Sequence, residues 1–132
     1  MHITHFETSL FLKSEVYNMI QVYGIPNCDS VRKALLWLKQ HKVDFTFHDF
    51  KKEGITAAEL KKWSAKVGWE MLLNKKSTTW RGLSAHEQSV TTQAVAVQRM
   101  KQYPSLIKRP VIVYGEELMV GYNEEAYTKK FK

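Results

Sequence analysis

The chain has 132 residues, 44% of them apolar and 25% charged, with a formal net charge of +7 and one cysteine. That length suits one hydrophobic core rather than two, and the apolar fraction excludes a disordered chain. No apolar run approaches the roughly 18 residues of a membrane span, and a lone Cys28 excludes both an internal disulfide framework and a multi-cysteine zinc site.

The charge is carried mostly by lysine: sixteen lysines stand against the four arginines at 32, 81, 99 and 109. The lysines come in pairs along the whole chain, at 51–52, 61–62, 75–76 and 129–130. Such scatter reads as solvated faces and not as a focused basic stripe, so direct binding of nucleic acid is not expected. The composition suits a soluble protein of a reducing compartment, cytoplasmic and without a membrane partner.

Residues 1–18 have no basic segment followed by an apolar stretch and so do not read as a secretory signal; they are expected to be a flexible extension. His2 and His5 within it read as tail residues. The remaining chain, 19–132, is expected to form a single domain. Ile20-Gln-Val-Tyr23 alternates as a strand and is cut by Gly24. After the loop Ile25-Pro-Asn27, the spacing of Val31, Ala34, Leu35 and Leu38 predicts a helix from Cys28 to His41. Val43 to Phe47 alternates as a second strand, parallel to the first through a right-handed crossover.

A helical middle follows. Thr56-Ala-Ala-Glu59 has the form of a capping box, with Ile55 and Leu60 as its hydrophobic staple. Leu60, Trp63 and Val67 form the buried stripe, and Gly68 supplies the stop. Ser84-Ala-His-Glu87 repeats the box and opens a helical stretch to about Tyr103, broken near Thr91-Thr92 and ended by Pro104. Val111–Tyr114 and Glu117–Val120 flank Gly115-Glu116 as a hairpin. Asn123 caps a final helix whose acidic start and basic end complement its dipole.

Chemistry concentrates in Gly24-Ile-Pro-Asn-Cys28-Asp-Ser-Val-Arg32, which places a thiol at the start of a helix directly after a buried strand. Free N–H groups and the helix dipole favour the thiolate there, and Arg32 adds positive charge one turn on. Asp29 opposes this unless its carboxylate is otherwise engaged. Position alone leaves open that Cys28 is a small buried hydrophobe. A second feature is Lys108-Arg109-Pro110, where a proline at the start of a strand can fix a turn and aim the arginine before it. A solvated arginine beside an ordinary edge proline is the plainer reading.

Together, Gly24–Arg32, Leu72-Leu-Asn74-Lys-Lys76, Thr78-Thr-Trp-Arg81 and Pro104-Ser-Leu-Ile-Lys-Arg-Pro110 resemble the arsenate reductase (ArsC) family. Within it they are most similar to the Spx/YffB-like branch of small ArsC-like proteins. The resemblance covers about residues 19–132. It implies an α/β, thioredoxin-like fold with the order β-α-β, helical insertion, β-β-α and a mixed four-stranded sheet. It also implies Cys28 as the nucleophile, after a loop containing Asn27 that receives an oxyanion or a cosubstrate thiol. By the same resemblance Arg109 faces the cysteine, Pro110 is the fold's cis-proline, and Arg32 occupies the basic position of the first helix.

Two departures bear on substrate. Asn74 stands where glutaredoxin-linked arsenate reductases carry an arginine, and Gly121 or Tyr122 replaces another after the hairpin. Two guanidinium clamps on a tetrahedral oxyanion are thereby missing, with Arg81 as a candidate substitute. The expected activity is therefore a monothiol, glutathione-dependent thiol reductase using Cys28, with arsenate reduction less expected. No bound cofactor or metal is expected; glutathione would be the cosubstrate and glutaredoxin a candidate partner. The alternative is an Spx-like transcriptional regulator binding RNA polymerase, although Val31 occupies the place of the second cysteine in that regulator's Cys-x-x-Cys switch.

Overall fold

The computed structural model describes residues 19–132. The leader 1–18, expected to be an extension, lies outside the described residues.

Strand β1 (Ile20–Gly24) occupies the middle of a four-stranded sheet. It pairs in parallel with β2 (Phe45–Asp49) and antiparallel with β3 (Val111–Tyr114), which in turn pairs antiparallel with β4 (Glu117–Val120). The order β2-β1-β3-β4 is the mixed sheet expected of the thioredoxin-like fold. Helix α1 (Asp29–Gln40) makes the crossover between β1 and β2. The short helices α2 (Phe50–Glu53), α3 (Ala57–Val67), α4 (Trp69–Leu72), α5 (Thr78–Arg81), α6 (Ala85–Gln88) and α7 (Gln93–Gln102) form the insertion before β3, and α8 (Glu124–Phe131) follows β4.

Strand side chains alternate between faces, and this alternation divides the core in two. Ile20, Val22 and Ile112 pack with Ala34, Trp37 and Leu38 of α1 and with Tyr127 of α8. On the other face Val111, with Tyr23 and Val113 beside it, meets Leu60, Trp63, Ala96, Val97 and Met100 of the insertion. Among the described residues no helix is long and apolar enough to cross a membrane.

Several elements begin or pack otherwise than the sequence pattern suggests. The second strand runs over 45–49 and not 43–47, because the chain closes α1 with an extra turn. There the Val43 N–H donates to the Leu38 carbonyl at 2.9 Å and Lys42 takes a φ of 57°. On α1 the buried aromatic is Trp37, whereas Leu35 is only partly covered. Thr56 caps α3 by accepting from the Glu59 N–H at 3.1 Å, but the reciprocal bond from the Glu59 carboxylate does not form. Ser84 and Glu87 form the complete box. The single-turn helices α2, α4 and α5 are too short to show a period.

Candidate active site at the start of helix α1

The site is assembled where β1 ends. Gly24 is required there by proximity: a Cβ on it would lie 2.7 Å from Cγ2 of Val31. Val31 is fully buried in the first turn of α1, and its β-branched side chain has little rotamer freedom in a helix. This close approach draws the helix start onto the strand end. The exposed pair Pro26-Asn27 turns the chain between them, and Cys28 follows as the N-cap of α1, half-buried.

Burial is the largest single influence on the Cys28 thiol and pushes its ionisation up. It is outweighed by the N–H groups of Val31 and Ser30 and by the hydrogen bond and charge of Arg109, so the thiol lies below its ordinary value. The two amides are among the unpaired donors that open every helix. A cap side chain normally accepts from them. Cys28 holds the N-cap position but closes no side-chain capping bond, so the two amides favour the thiolate without being capped by it.

Arg109 reaches the thiol from the start of β3. The Arg109–Pro110 peptide bond is cis, and Pro110 is buried. The Arg109 side chain is anchored by its own loop: Nη1 donates to the Ser105 carbonyl at 3.0 Å and the Ile107 carbonyl at 3.2 Å. That loop is tied to the insertion through the Asn74 N–H on the Leu106 carbonyl at 2.7 Å and the Lys108 N–H on the Leu72 carbonyl at 2.8 Å. The Thr79 and Ser105 hydroxyls add a 2.6 Å bond between α5 and the 3-10 turn Pro104–Leu106.

Of the arginines singled out in the sequence, only Arg109 is brought to Cys28. Arg32 is largely exposed and pairs with the carboxylate of Asp29, so it does not supply the charge expected of it, and Asp29 is neutralised locally. Arg81 is exposed and donates to the Lys76 carbonyl at 2.7 Å. The Asn74 carboxamide is spent locally, accepting from the Lys76 N–H at 3.0 Å. Gly121, at φ 85°, has its carbonyl held by the Tyr127 hydroxyl at 2.9 Å. Val31, the counterpart of a second cysteine, is a core residue. Among the described residues no cluster of three or more His, Cys, Asp or Glu side chains is placed to hold a metal ion.

Thr79 and Ser105 carry no sequence signal as supports of Arg109, since they are 26 residues apart. Beside Arg109 the same loops enclose a cavity of about 340 Å³ reached by Ile25, Phe50 and Tyr103. Its walls come from four stretches of chain, at 25, 50–51, 79 and 102–109, so no single local motif marks it.

A family model described as the ArsC family matches residues 23–130. A solved structure described as the YFFB protein is 38% identical, covering 86% of this chain and all of that one, with a TM-score of 0.84. A solution structure of an arsenate reductase (ArsC) related protein from Brucella melitensis is 43% identical, covering 86% and 95% of the two chains, with a TM-score of 0.69. The global transcriptional regulator Spx of Streptococcus pneumoniae is 30% identical over 109 residues, 81% of each protein.

Proposed function

This chain belongs to the ArsC family, and on that premise we propose that it is a monothiol reductase that works with glutathione. The observation that carries the reading is the pairing of Cys28 with Arg109 at the start of α1, where the thiol is held below its ordinary ionisation. The Cys28 thiolate attacks one sulfur of a disulfide substrate, the sulfur–sulfur bond breaks, and the released thiolate takes a proton from solvent. Because the chain has one cysteine, the resulting mixed disulfide is resolved by an external thiol. Glutathione, whose carboxylates suit Arg109, is the simplest donor, and a glutaredoxin could deliver it. Arsenate is a poorer candidate, because neither Asn74 nor the Gly121-Tyr122 pair offers a guanidinium to an oxyanion.

Mass spectrometry after treatment with oxidised glutathione tests the reading. One glutathionyl adduct on the wild type, absent from Cys28→Ser, is the expected result, together with turnover of a glutathione mixed disulfide. An unmodified Cys28 under conditions that modify free cysteine would refute it.

The likeness to Spx favours a second reading, in which the chain binds RNA polymerase as a regulator. The two separate on one variant. Capture of RNA polymerase that survives Cys28→Ser, with no disulfide turnover by the wild type, selects the regulator.

A further inference from the structure

The cavity beside Arg109 has a distinct chemical character. Ile25, three positions before the nucleophile in the chain, is one of its walls, and Phe50, Tyr103 and Pro104 supply further apolar surface. The hydroxyls that line it are already engaged. Thr79 and Ser105 bond to each other at 2.6 Å, and the Tyr103 hydroxyl donates to Glu87 at 2.9 Å. The charged residues that line it are Lys51 and Arg109. Of the neighbouring carboxylates, Asp49 accepts from the Lys51 N–H at 2.9 Å and Glu87 from the Tyr103 hydroxyl, and neither lines the cavity. Arg109 Nε is buried and has no hydrogen-bond partner among the described residues. An apolar chamber with a cationic rim selects a ligand that is apolar in body and anionic at one end. Its volume of about 340 Å³ is at the lower end for small-molecule sites and ample for a substituted aromatic ring, since a cavity of about 150 Å³ already holds benzene.

We propose that this cavity receives the leaving half of the disulfide substrate, and that this half is an aryl thiol bearing a carboxylate. The inference rests on the monothiol reading and adds the substrate class. Cys28 thiolate attacks the glutathionyl sulfur of the mixed disulfide, and the bond between the two substrate sulfurs breaks. Its electron pair leaves with the aryl sulfur, which departs as the weakly basic thiolate and needs no proton donor. A second glutathione then attacks the glutathionyl sulfur on Cys28, giving oxidised glutathione and the free Cys28 thiolate. One disulfide is reduced and two glutathione moieties leave joined as another, so electrons balance.

The test compares kcat/KM for the glutathione mixed disulfides of 4-mercaptobenzoate, thiophenol and 2-mercaptoethanol. It uses the full chain and two variants at exposed rim positions, Lys51→Glu and Gln102→Trp. Comparing each substrate across variants cancels the better leaving ability of aryl thiolates. The selectivity for the carboxyaryl over the hydroxyethyl substrate is expected to fall about tenfold in Lys51→Glu, through reversal of a rim charge. In Gln102→Trp it falls for both aryl substrates, through loss of volume. Unchanged selectivity in both folded variants overturns the inference while leaving the monothiol reading intact. If the wild type turns over none of the three, the monothiol reading falls, and the cavity is then judged by NMR titration of Cys28→Ser with 4-methylbenzoate. Shifts centred on Ile25, Phe50 and Tyr103 support a carboxyaryl site; no shifts at millimolar ligand overturn it.

Discussion

Replacing Arg109 with methionine keeps a long unbranched side chain and removes its charge and donors. Burial alone would raise the ionisation of Cys28, and the thiolate depends on the N–H groups of Val31 and Ser30 together with Arg109. A charge-assisted hydrogen bond contributes about 1.5–3 kcal/mol, and the partial exposure of this thiol places Arg109 at the lower end. About 1.4 kcal/mol corresponds to a tenfold loss of thiolate well below both ionisation midpoints. The loss of rate is smaller, because a more basic thiolate is the better nucleophile; a Brønsted coefficient of about 0.4–0.5 recovers roughly threefold. Alkylation by iodoacetamide, followed against pH, should therefore be about three- to fourfold slower in Arg109→Met on the acidic side. At the alkaline plateau it should be roughly threefold faster, so the two profiles cross. Arg109→Lys, which keeps the charge, should recover most of the loss. Circular dichroism and a thermal melt check that freeing the Ser105 and Ile107 carbonyls has not unfolded the loop. Superimposable pH–rate profiles for a folded Arg109→Met protein would refute the coupling.

Arg32→Ala should change the alkylation rate by less than about twofold at physiological salt, because the guanidinium serves an exposed pair with Asp29 and such pairs contribute little. Thr79→Val removes the hydroxyl partner of Ser105 and loosens the carbonyl that anchors Arg109; slower Cys28 alkylation is expected, restored by Thr79→Ser. Gly24→Ala forces a Cβ against Val31 and should cost about 1–3 kcal/mol in urea denaturation, with the double variant Gly24→Ala/Val31→Ala less destabilised than the sum of the singles. The native Cys28 thiol ionises at lower pH than an unfolded one. Between the two ionisations the unfolded chain binds more protons, so stability should rise with pH there and the contribution be lost as pH falls through the native value. Cys28→Ser should lack that increment in denaturation curves taken across the same pH window.

The readings that hold most closely depend on neighbours in sequence. Asn123 accepts from the Ala126 N–H at 2.9 Å and starts α8. Ser84 and Glu87 close their box within four residues, and the Gly115-Glu116 turn joins β3 and β4 in the expected register. The readings that shift are those where a distant contact competes. The start of β2 yields to the closing turn of α1, and Trp37 takes the place on the buried face of α1 that the spacing assigned to Leu35. The candidate site divides in the same way. Cys28 is marked by its place between a strand and a helix, whereas the support of Arg109 by Ser105, Thr79 and the Leu73–Ile107 bridge joins segments far apart in the chain.

Period, caps and turn residues act over four or five positions, and they were enough to order the strands and the longer helices and to put a lone thiol at the free N–H groups of α1. Which arginine meets that thiol was beyond their range. Arg32 is one helical turn from Cys28 yet turns to Asp29, its nearer and opposite charge. Arg109 lies 81 positions away in the chain and arrives because β3 pairs with β1 in the sheet. The same pairing brings the loops together around the cavity, whose apolar walls and cationic rim exist only once long-range packing has overcome the entropy of joining them.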